Sequence, residues 1–234
     1  WGHSGRLGPA IMEIAPQFPE AVFGALAYPP EDQEFDNVWF SLSHYEGAYY
    51  AVGVLGALMT ETDVLGFVGG RENPLYTACA MAYEEGAKSV NPDINVLTVF
   101  TGSYDDPVKA KEAAVSQIQS GADLIASLQS LGMSGIFAAA EEAENQVWVI
   151  GKDNDQFPYA PDVVLTSVVI DYAAQMRNIL AEVAAGNRSG SMPQDVATGA
   201  VYLADFYGQV PAEVVAEVDA VLEQVKNGEV EYTT

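Results

Sequence analysis

The chain has 234 residues, 49% of them hydrophobic, which is enough for one large domain or two small lobes and excludes wholesale disorder. Its 33 acidic against 9 basic residues give a formal charge of −24, so nucleic acid and anionic membrane surfaces are repelled and drop out as partners. The acidic excess is spread along the chain, which suits either a solvated surface in a salty medium or simply an acidic soluble protein.

Residues 8–18 read as a short helix with Pro9 in its first turn. A strand at 22–28 is closed by Pro29-Pro30, and an acidic loop leads to a second strand at 38–43. A helix rich in small residues follows at 45–60, with Ser43 as a candidate N-cap. Its most apolar stretch, 48–59, is too short to span a bilayer.

From Val64 the pattern becomes regular. Strands at 64–68, 95–100 and 124–129 lead to helices at 75–90, 107–120 and 133–143, with further strands at 147–151 and 163–169. This alternation predicts parallel βαβ units with right-handed crossovers. The strands are continuous apolar runs, as expected where both sheet faces are covered. A helix at 171–185, a polar loop at 186–194, a strand at 196–203 and a helix at 212–227 complete the reading. The candidate lobe boundaries fall at 60–63 and 157–162, giving a remainder of a first lobe at 1–62, a second lobe at 63–156, and hinge crossings with shared elements at 157–234.

In open α/β sheets ligands bind outside the carboxyl ends of the strands, so the turns after the strands carry the functional candidates. Gly69-Gly70-Arg71-Glu72-Asn73-Pro74 ends one strand and opens a helix. Its glycines permit close backbone approach, but it has neither GxGxxG spacing nor a GK[ST] end, so it is no phosphate loop. Glu72 there suits hydroxyls or a cation, or simply the positive end of the helix dipole. Asp153-Asn154-Asp155-Gln156 sets two carboxylates and two amides past a buried strand. Asp153, directly after the strand, is the stronger ligand candidate. Gln129 and Ser130 offer hydrogen bonds at another strand end, and Gly132 permits a tight approach. Asp105 or Asp106 reads as the N-cap of the helix begun by Pro107. Trp1, before a Gly-rich turn, is a candidate aromatic platform.

The catalytic signals are thin. His3 and His44 are the only histidines, and neither has a partner at ligand spacing, so no metal site is expected. There is no Gly-x-Ser-x-Gly elbow. Cys79, the single cysteine, lies on an apolar helix face and reads as an inert buried thiol. No cofactor motif is present, and the chain is not expected to be an enzyme. A nucleoside hydrolase-like catalyst would want a denser Asp cluster and a metal than Asp153 and Asp155 provide.

The order of EGAYYAVGVLGALMT, VLGFVGG, GAKSVNPDINVLTVFTGSYDDPVKAKEAAVSQIQSGADLI, VIGKDNDQ and PDVVLTSVV resembles the basic membrane protein family. These are extracytoplasmic substrate-binding lipoproteins of ABC transporters, often purine nucleoside receptors. The resemblance runs from about Gly8 to the C-terminus. It implies a type I periplasmic-binding-protein fold, two Rossmann-like lobes with parallel sheets enclosing ligand in a cleft. Trp1-Gly2-His3 falls where the family has the loop after its third strand, so the first lobe is expected to be N-terminally incomplete, as suits a processed or trimmed chain beginning with Trp rather than Met.

Carried over residue by residue, Glu72 stands where the family has a ribose-contacting Asp, and Asp153 matches the Asp of its V-D-S-D-Q stretch. Ile170, followed by Asp171, stands in place of a sugar-contacting Lys. Ser130 and Leu131 replace a glycine pair. The expected ligand-binding residues are therefore Asp153, Glu72, Asn73, Gln129, Gly132, Trp1 and Asp171. The resemblance implies a monomeric solute-binding protein that takes a nucleoside-like small molecule and meets the permease subunits of an ABC importer outside the cytoplasm. A cationic or amine solute is the alternative cargo, since acidic groups outnumber basic ones and Ile170 removes a positive charge. A ligand-sensing domain of the same fold is the other alternative.

Overall fold

The computed structural model describes residues 1–2 and 5–234. His3 lies outside the described residues. The chain divides into a smaller unit, residues 1–44 and 171–201, and a larger unit, residues 45–170 and 202–234.

The larger unit is built on a parallel sheet. Its strands are β3 (Val64–Gly69), β4 (Asn95–Phe100), β5 (Leu124–Leu128), β6 (Trp148–Asp153) and β7 (Val164–Ile170), with β9 (Val201–Leu203) at one edge. The order is β4-β3-β5-β6-β7-β9, and the pairs from β4 to β7 are parallel. Every residue of β5 and β7 is buried, whereas edge strand β4 is only partly covered. The apolar runs thus sit where both sheet faces carry helices. The chain moves outward from β3 to β4 and then returns to the other side of β3 with β5. That reversal places the topological switch point between β3 and β5, at whose carboxyl ends ligands bind in such sheets.

One face is covered by α2 (Glu46–Met59) and α3 (Pro74–Val90), which pack on each other, and α7 (Ala212–Lys226) packs on α2. The other face carries the packed pair α4 (Pro107–Gln119) and α5 (Met133–Glu141). Phe67 is the aromatic centre of the α2–α3 face. Its ring lies 5.8 Å from Tyr49, 5.9 Å from Tyr83 and 6.4 Å from Phe100. Burial pushes the Tyr49 and Tyr83 hydroxyls well above their ordinary pKa, and the Tyr49 hydroxyl donates to Ser127 O at 2.7 Å. Cys79 is fully buried in this layer, and its thiol is pushed up by desolvation first and then by Glu46.

The smaller unit holds three parallel strands, β1 (Phe23–Ala25), β2 (Val38–Ser43) and β8 (Gly190–Gln194), in the order β1-β2-β8. Gly2 bridges Ala25 in parallel beside β1. Helices α1 (Gly8–Ile14) and α6 (Tyr172–Ala184) belong to it, and Ile11, Ala15, Ala25, Val38 and Phe40 form a core. The side-chain amide of Asn37, 5% exposed, donates to Ala15 O at 2.9 Å, Phe18 O at 3.0 Å and Ala21 O at 3.0 Å. The two N–H groups of one side chain are thus shared among three carbonyls where the chain turns from α1 into β1. Asn37→Leu removes the shared donor, leaving Ala15 O with Phe18 N, Phe18 O with Ala21 N and Ala21 O with the longer Arg188 contact, and is expected to cost about 1–2 kcal/mol, read as a lower urea midpoint with an unchanged slope.

Three local expectations differ from the structure. Residues 190–194, read as loop, form β8, whose register on β2 supplies order that the sequence Gly-Ser-Met-Pro-Gln does not advertise. The strand expected at 196–203 is confined to 201–203. Asp195 and Thr198 instead close a turn, with Thr198 N donating to Asp195 Oδ1 at 2.8 Å and Asp195 N to Thr198 Oγ1 at 2.9 Å. The N-cap position of α2 falls on Tyr45, two residues after Ser43, which ends β2 opposite Gln194.

Candidate ligand-binding site

The carboxyl ends of β3, β4, β5 and β6 bring a set of aromatic, charged and amide side chains to one edge of the larger unit's sheet. Gly70 is the pivot. Its N–H donates to Leu128 O at 3.1 Å, and its carbonyl accepts from Gly102 N at 2.9 Å, so its backbone is tied to the ends of β5 and β4. A Cβ on Gly70 would overlap Cδ1 of Tyr104 and stand 2.7 Å from Cε1, so only glycine lets this ring lie against the strand end.

Tyr104 is held on several sides. Its ring meets Tyr76 edge-on, with centroids 5.7 Å apart and planes at 76°. The Arg71 guanidinium carbon lies 6.0 Å from its ring centre, and its hydroxyl accepts from Asn73 Nδ2 at 3.3 Å. The backbone carbonyl of Tyr104 accepts from Ser130 N at 2.9 Å and Gly132 N at 3.1 Å. Asn73 is also the N-cap of α3, accepting from Tyr76 N at 3.1 Å, so its amide orients both tyrosines.

Gln129 ties these loops together from below. It is 1% exposed, and its Nε2 donates to Gly69 O at 2.8 Å and Thr101 Oγ1 at 2.9 Å. Its Oε1 has no partner among the described residues and stands 2.6 Å from where a Cβ on Gly132 would lie. Glycine at 132 leaves room for that amide.

The end of β6 adds the charged pair. Lys152 is 6% exposed, and its Nζ lies 2.6 Å from Asp153 Oδ1 and 6.0 Å from the Tyr76 ring centre. Asp153 has φ of 69°, a left-handed conformation that Asp tolerates better than most residues, and about a third of its side chain is exposed. Desolvation, and then the Asp153 charge, raise the pKa of the Tyr76 hydroxyl, which keeps it a donor at ordinary pH. The following turn is pinned by Gln156, whose Oε1 accepts from Lys152 N at 3.1 Å and whose N–H donates to Ser167 Oγ at 3.0 Å. Asp155 is turned to structural use. It accepts from Phe157 N at 3.1 Å and from the Tyr207 hydroxyl, whose pKa that hydrogen bond pushes up to about 12. Tyr207 stacks on Phe157 with centroids 3.7 Å apart.

The seven expected ligand residues therefore fall into three groups. Asp153, Asn73, Gln129 and Gly132 join the network around Tyr104 and Tyr76. Glu72 is exposed at the start of α3 and lines a shallow groove with Thr77, Met81, Thr233 and Thr234. Trp1 and Asp171 lie in the smaller unit. Trp1 is 40% exposed and packs on Gly24; Asp171 caps α6, accepting from Ala174 N at 2.8 Å and from Arg177 Nη2 at 3.3 Å. Sequence reasoning missed Tyr76, Tyr104, Arg71 and Lys152 as site groups. Lys152 was the detectable one, because a charge that follows Val147–Gly151 without a break sits on a strand built to be buried. Asp106, not Asp105, caps α4, accepting from Val108 N at 3.1 Å and Lys109 N at 3.2 Å.

A doubly wound parallel sheet with polar and aromatic groups gathered at its switch point is the arrangement of the type I periplasmic-binding fold. Among solved structures, the ABC transporter solute-binding protein of Aeropyrum pernix K1 superposes with a TM-score of 0.79 at 21% identity, covering 97% of this chain and 75% of that one. The model of the ABC transporter substrate-binding protein PnrA-like family, Bmp, matches residues 1–233, and the chain belongs to that family. Basic membrane protein A of Borreliella afzelii is 29% identical over 188 residues, covering 79% of this chain and 58% of that protein. The ABC transporter nucleoside-binding protein BmpA of Lactococcus lactis subsp. cremoris is 37% identical over 117 residues, 47% of this chain and 33% of that protein. The chain thus spans little more than half the length of such a relative. Among the described residues no helix is long and apolar enough to cross a membrane.

Proposed function

We propose that the chain is the ligand-binding part of an extracytoplasmic solute-binding protein of an ABC importer, and that it takes a purine nucleoside-like solute at the strand ends of the larger unit. The observation that carries this reading is the juxtaposition of the Tyr76–Tyr104 pair with the Lys152–Asp153 pair. An aromatic pair offers faces and edges to a heterocyclic base. A carboxylate beside an ammonium offers an acceptor and donors to sugar hydroxyls, which do both. Asn73, Gln129 and Gly132 hold these groups in place, and Glu72, Trp1 and Asp171 complete the candidate set from outside this network. The role named for the Lactococcus relative supports the choice of cargo. The partner in transport is the permease of the importer, and the binding protein acts as a monomer.

Calorimetric titration with inosine, guanosine, adenosine and cytidine tests it. Purine nucleosides are expected to bind and to raise the unfolding midpoint by mass action. Asp153→Ala is expected to weaken binding about 10–100-fold, the worth of a hydrogen bond to a charged group. No response to any nucleoside, or equal affinity in the variant, overturns the reading.

A further inference from the structure

We infer that Lys152 sets the charge selectivity of the strand-end site, neutralising Asp153 so that the site accepts an uncharged hydroxyl-bearing solute and rejects amines. This rests on the site proposed above and names the class of solute it admits.

A carboxylate next to two tyrosine rings is, on its own, a good amine site. The carboxylate pairs with an ammonium and the ring faces attract it. Asp153 beside Tyr76 and Tyr104 has those ingredients, and the chain's −24 charge would draw cations towards it. Lys152 occupies that role from within. Its ammonium already sits against Asp153 Oδ1 and faces the Tyr76 ring at 6.0 Å, the two contacts an incoming amine would seek.

The ammonium is also held where it acts strongly. Lys152 is 6% exposed and follows the buried residues Val149, Ile150 and Gly151 of β6, so water screens its charge poorly. Burying an ammonium is costly unless it is paired, which keeps Lys152 and Asp153 together. Among the described residues Asp153 is its only hydrogen-bond acceptor, which leaves two of its three N–H donors for a ligand. Asp153 Oδ2 likewise has no hydrogen-bond partner among the described residues. Adjacent free donors and a free acceptor match neighbouring hydroxyl groups and mismatch an ammonium, which can only donate.

Buried Glu46, which acts on Cys79 together with Lys152, is itself engaged, and the remaining charges nearby do not reverse this. Arg71 has no carboxylate partner among the described residues and adds a second cation over Tyr104. Asp155 is engaged by Tyr207 and Phe157 N. Glu72 is exposed on the groove with Thr77 and Thr233, where solvent and salt screen it.

The test compares the intact protein with K152M, K152Q and K152R, using inosine and putrescine as probes and titration calorimetry as the readout. Circular dichroism melting reports folding. The wild type and K152R are expected to show no heat with millimolar putrescine. K152M and K152Q are expected to gain putrescine affinity at least tenfold and to lose inosine affinity about tenfold. Two uncharged replacements are used so that a folding defect in one leaves the other to decide. Putrescine binding to the wild type, or no gain in either uncharged variant, overturns the inference. If the wild type ignores inosine while K152M or K152Q gains putrescine, charge selection by Lys152 stands and the nucleoside reading falls.

Discussion

Replacing Gly53 by leucine is expected to unfold the larger unit, a loss above about 4 kcal/mol. Gly53 of α2 faces the backbone of α3: a Cβ there would overlap Tyr83 O and stand 2.8 Å from Ala87 N. The arrangement is reciprocal, because a Cβ on Gly86 of α3 would overlap Tyr50 O and stand 2.8 Å from Tyr50 C. The obstructing atoms are helix backbone rather than the far ends of flexible side chains, so no rotamer change relieves them. The two helices must separate, and with them the layer that buries Tyr49, Val52, Leu55, Cys79 and Tyr83 over Phe67. Overpacking a well-filled core costs about 1–3 kcal/mol where side chains can yield, and more where they cannot. Leucine at Met81, an exposed position of the same α3, is the control and is expected to change stability by less than about 0.5 kcal/mol. Urea unfolding followed by circular dichroism reads both; a Gly53→Leu protein with a near-native midpoint would mean that α2 and α3 are not in backbone contact.

The legibility of this chain follows from where order originates. β3, β5 and β7 are buried on both faces, so their apolar runs carry their own signature, and the helix after β4 is opened by Asp106, one of the two caps expected from the sequence. β8 was invisible because nothing in Gly-Ser-Met-Pro-Gln encodes a strand; pairing with β2 from Trp39 to Ser43 imposes it. Asp153 could be placed at the candidate site from the sequence because it ends an apolar strand. Asn73 and Asp171 were read as ligand groups but also cap helices, and a sequence does not say which use a carboxylate or amide serves. The tyrosine pair was hidden for a different reason. Tyr76 stands in the first turn of α3 and Tyr104 in the loop after β4, and they meet only because β3 and β4 are neighbours in register from Val64–Asn95 to Gly69–Phe100. Lys152 drew no reading from the sequence, although it follows the apolar run of β6 without a break, and its 6% exposure shows the buried ammonium.

That meeting of the two tyrosines gives the second large effect. Gly70→Val is expected to weaken ligand binding about 100-fold while the sheet survives. The Gly70 backbone cannot retreat, since it is bonded to Leu128 O and Gly102 N, and the Tyr104 backbone cannot retreat, since its carbonyl holds Ser130 N and Gly132 N. The Tyr104 ring is the part free to move, so the new side chain drives it off the strand end. Leaving that position breaks the edge contact with Tyr76, the bond from Asn73 Nδ2 and the approach of Arg71 together. Local repacking costs about 1–3 kcal/mol of stability, which the melting curve reads separately from affinity. An aromatic platform under a nucleobase is worth about 1–3 kcal/mol, or roughly 10–100-fold in affinity. Tyr104→Ala removes the same platform without overlap and should reproduce the affinity loss with a smaller change in midpoint. If Gly70→Val loses affinity and Tyr104→Ala does not, the glycine itself faces the ligand; if neither does, the ligand lies away from the ends of β3 and β4.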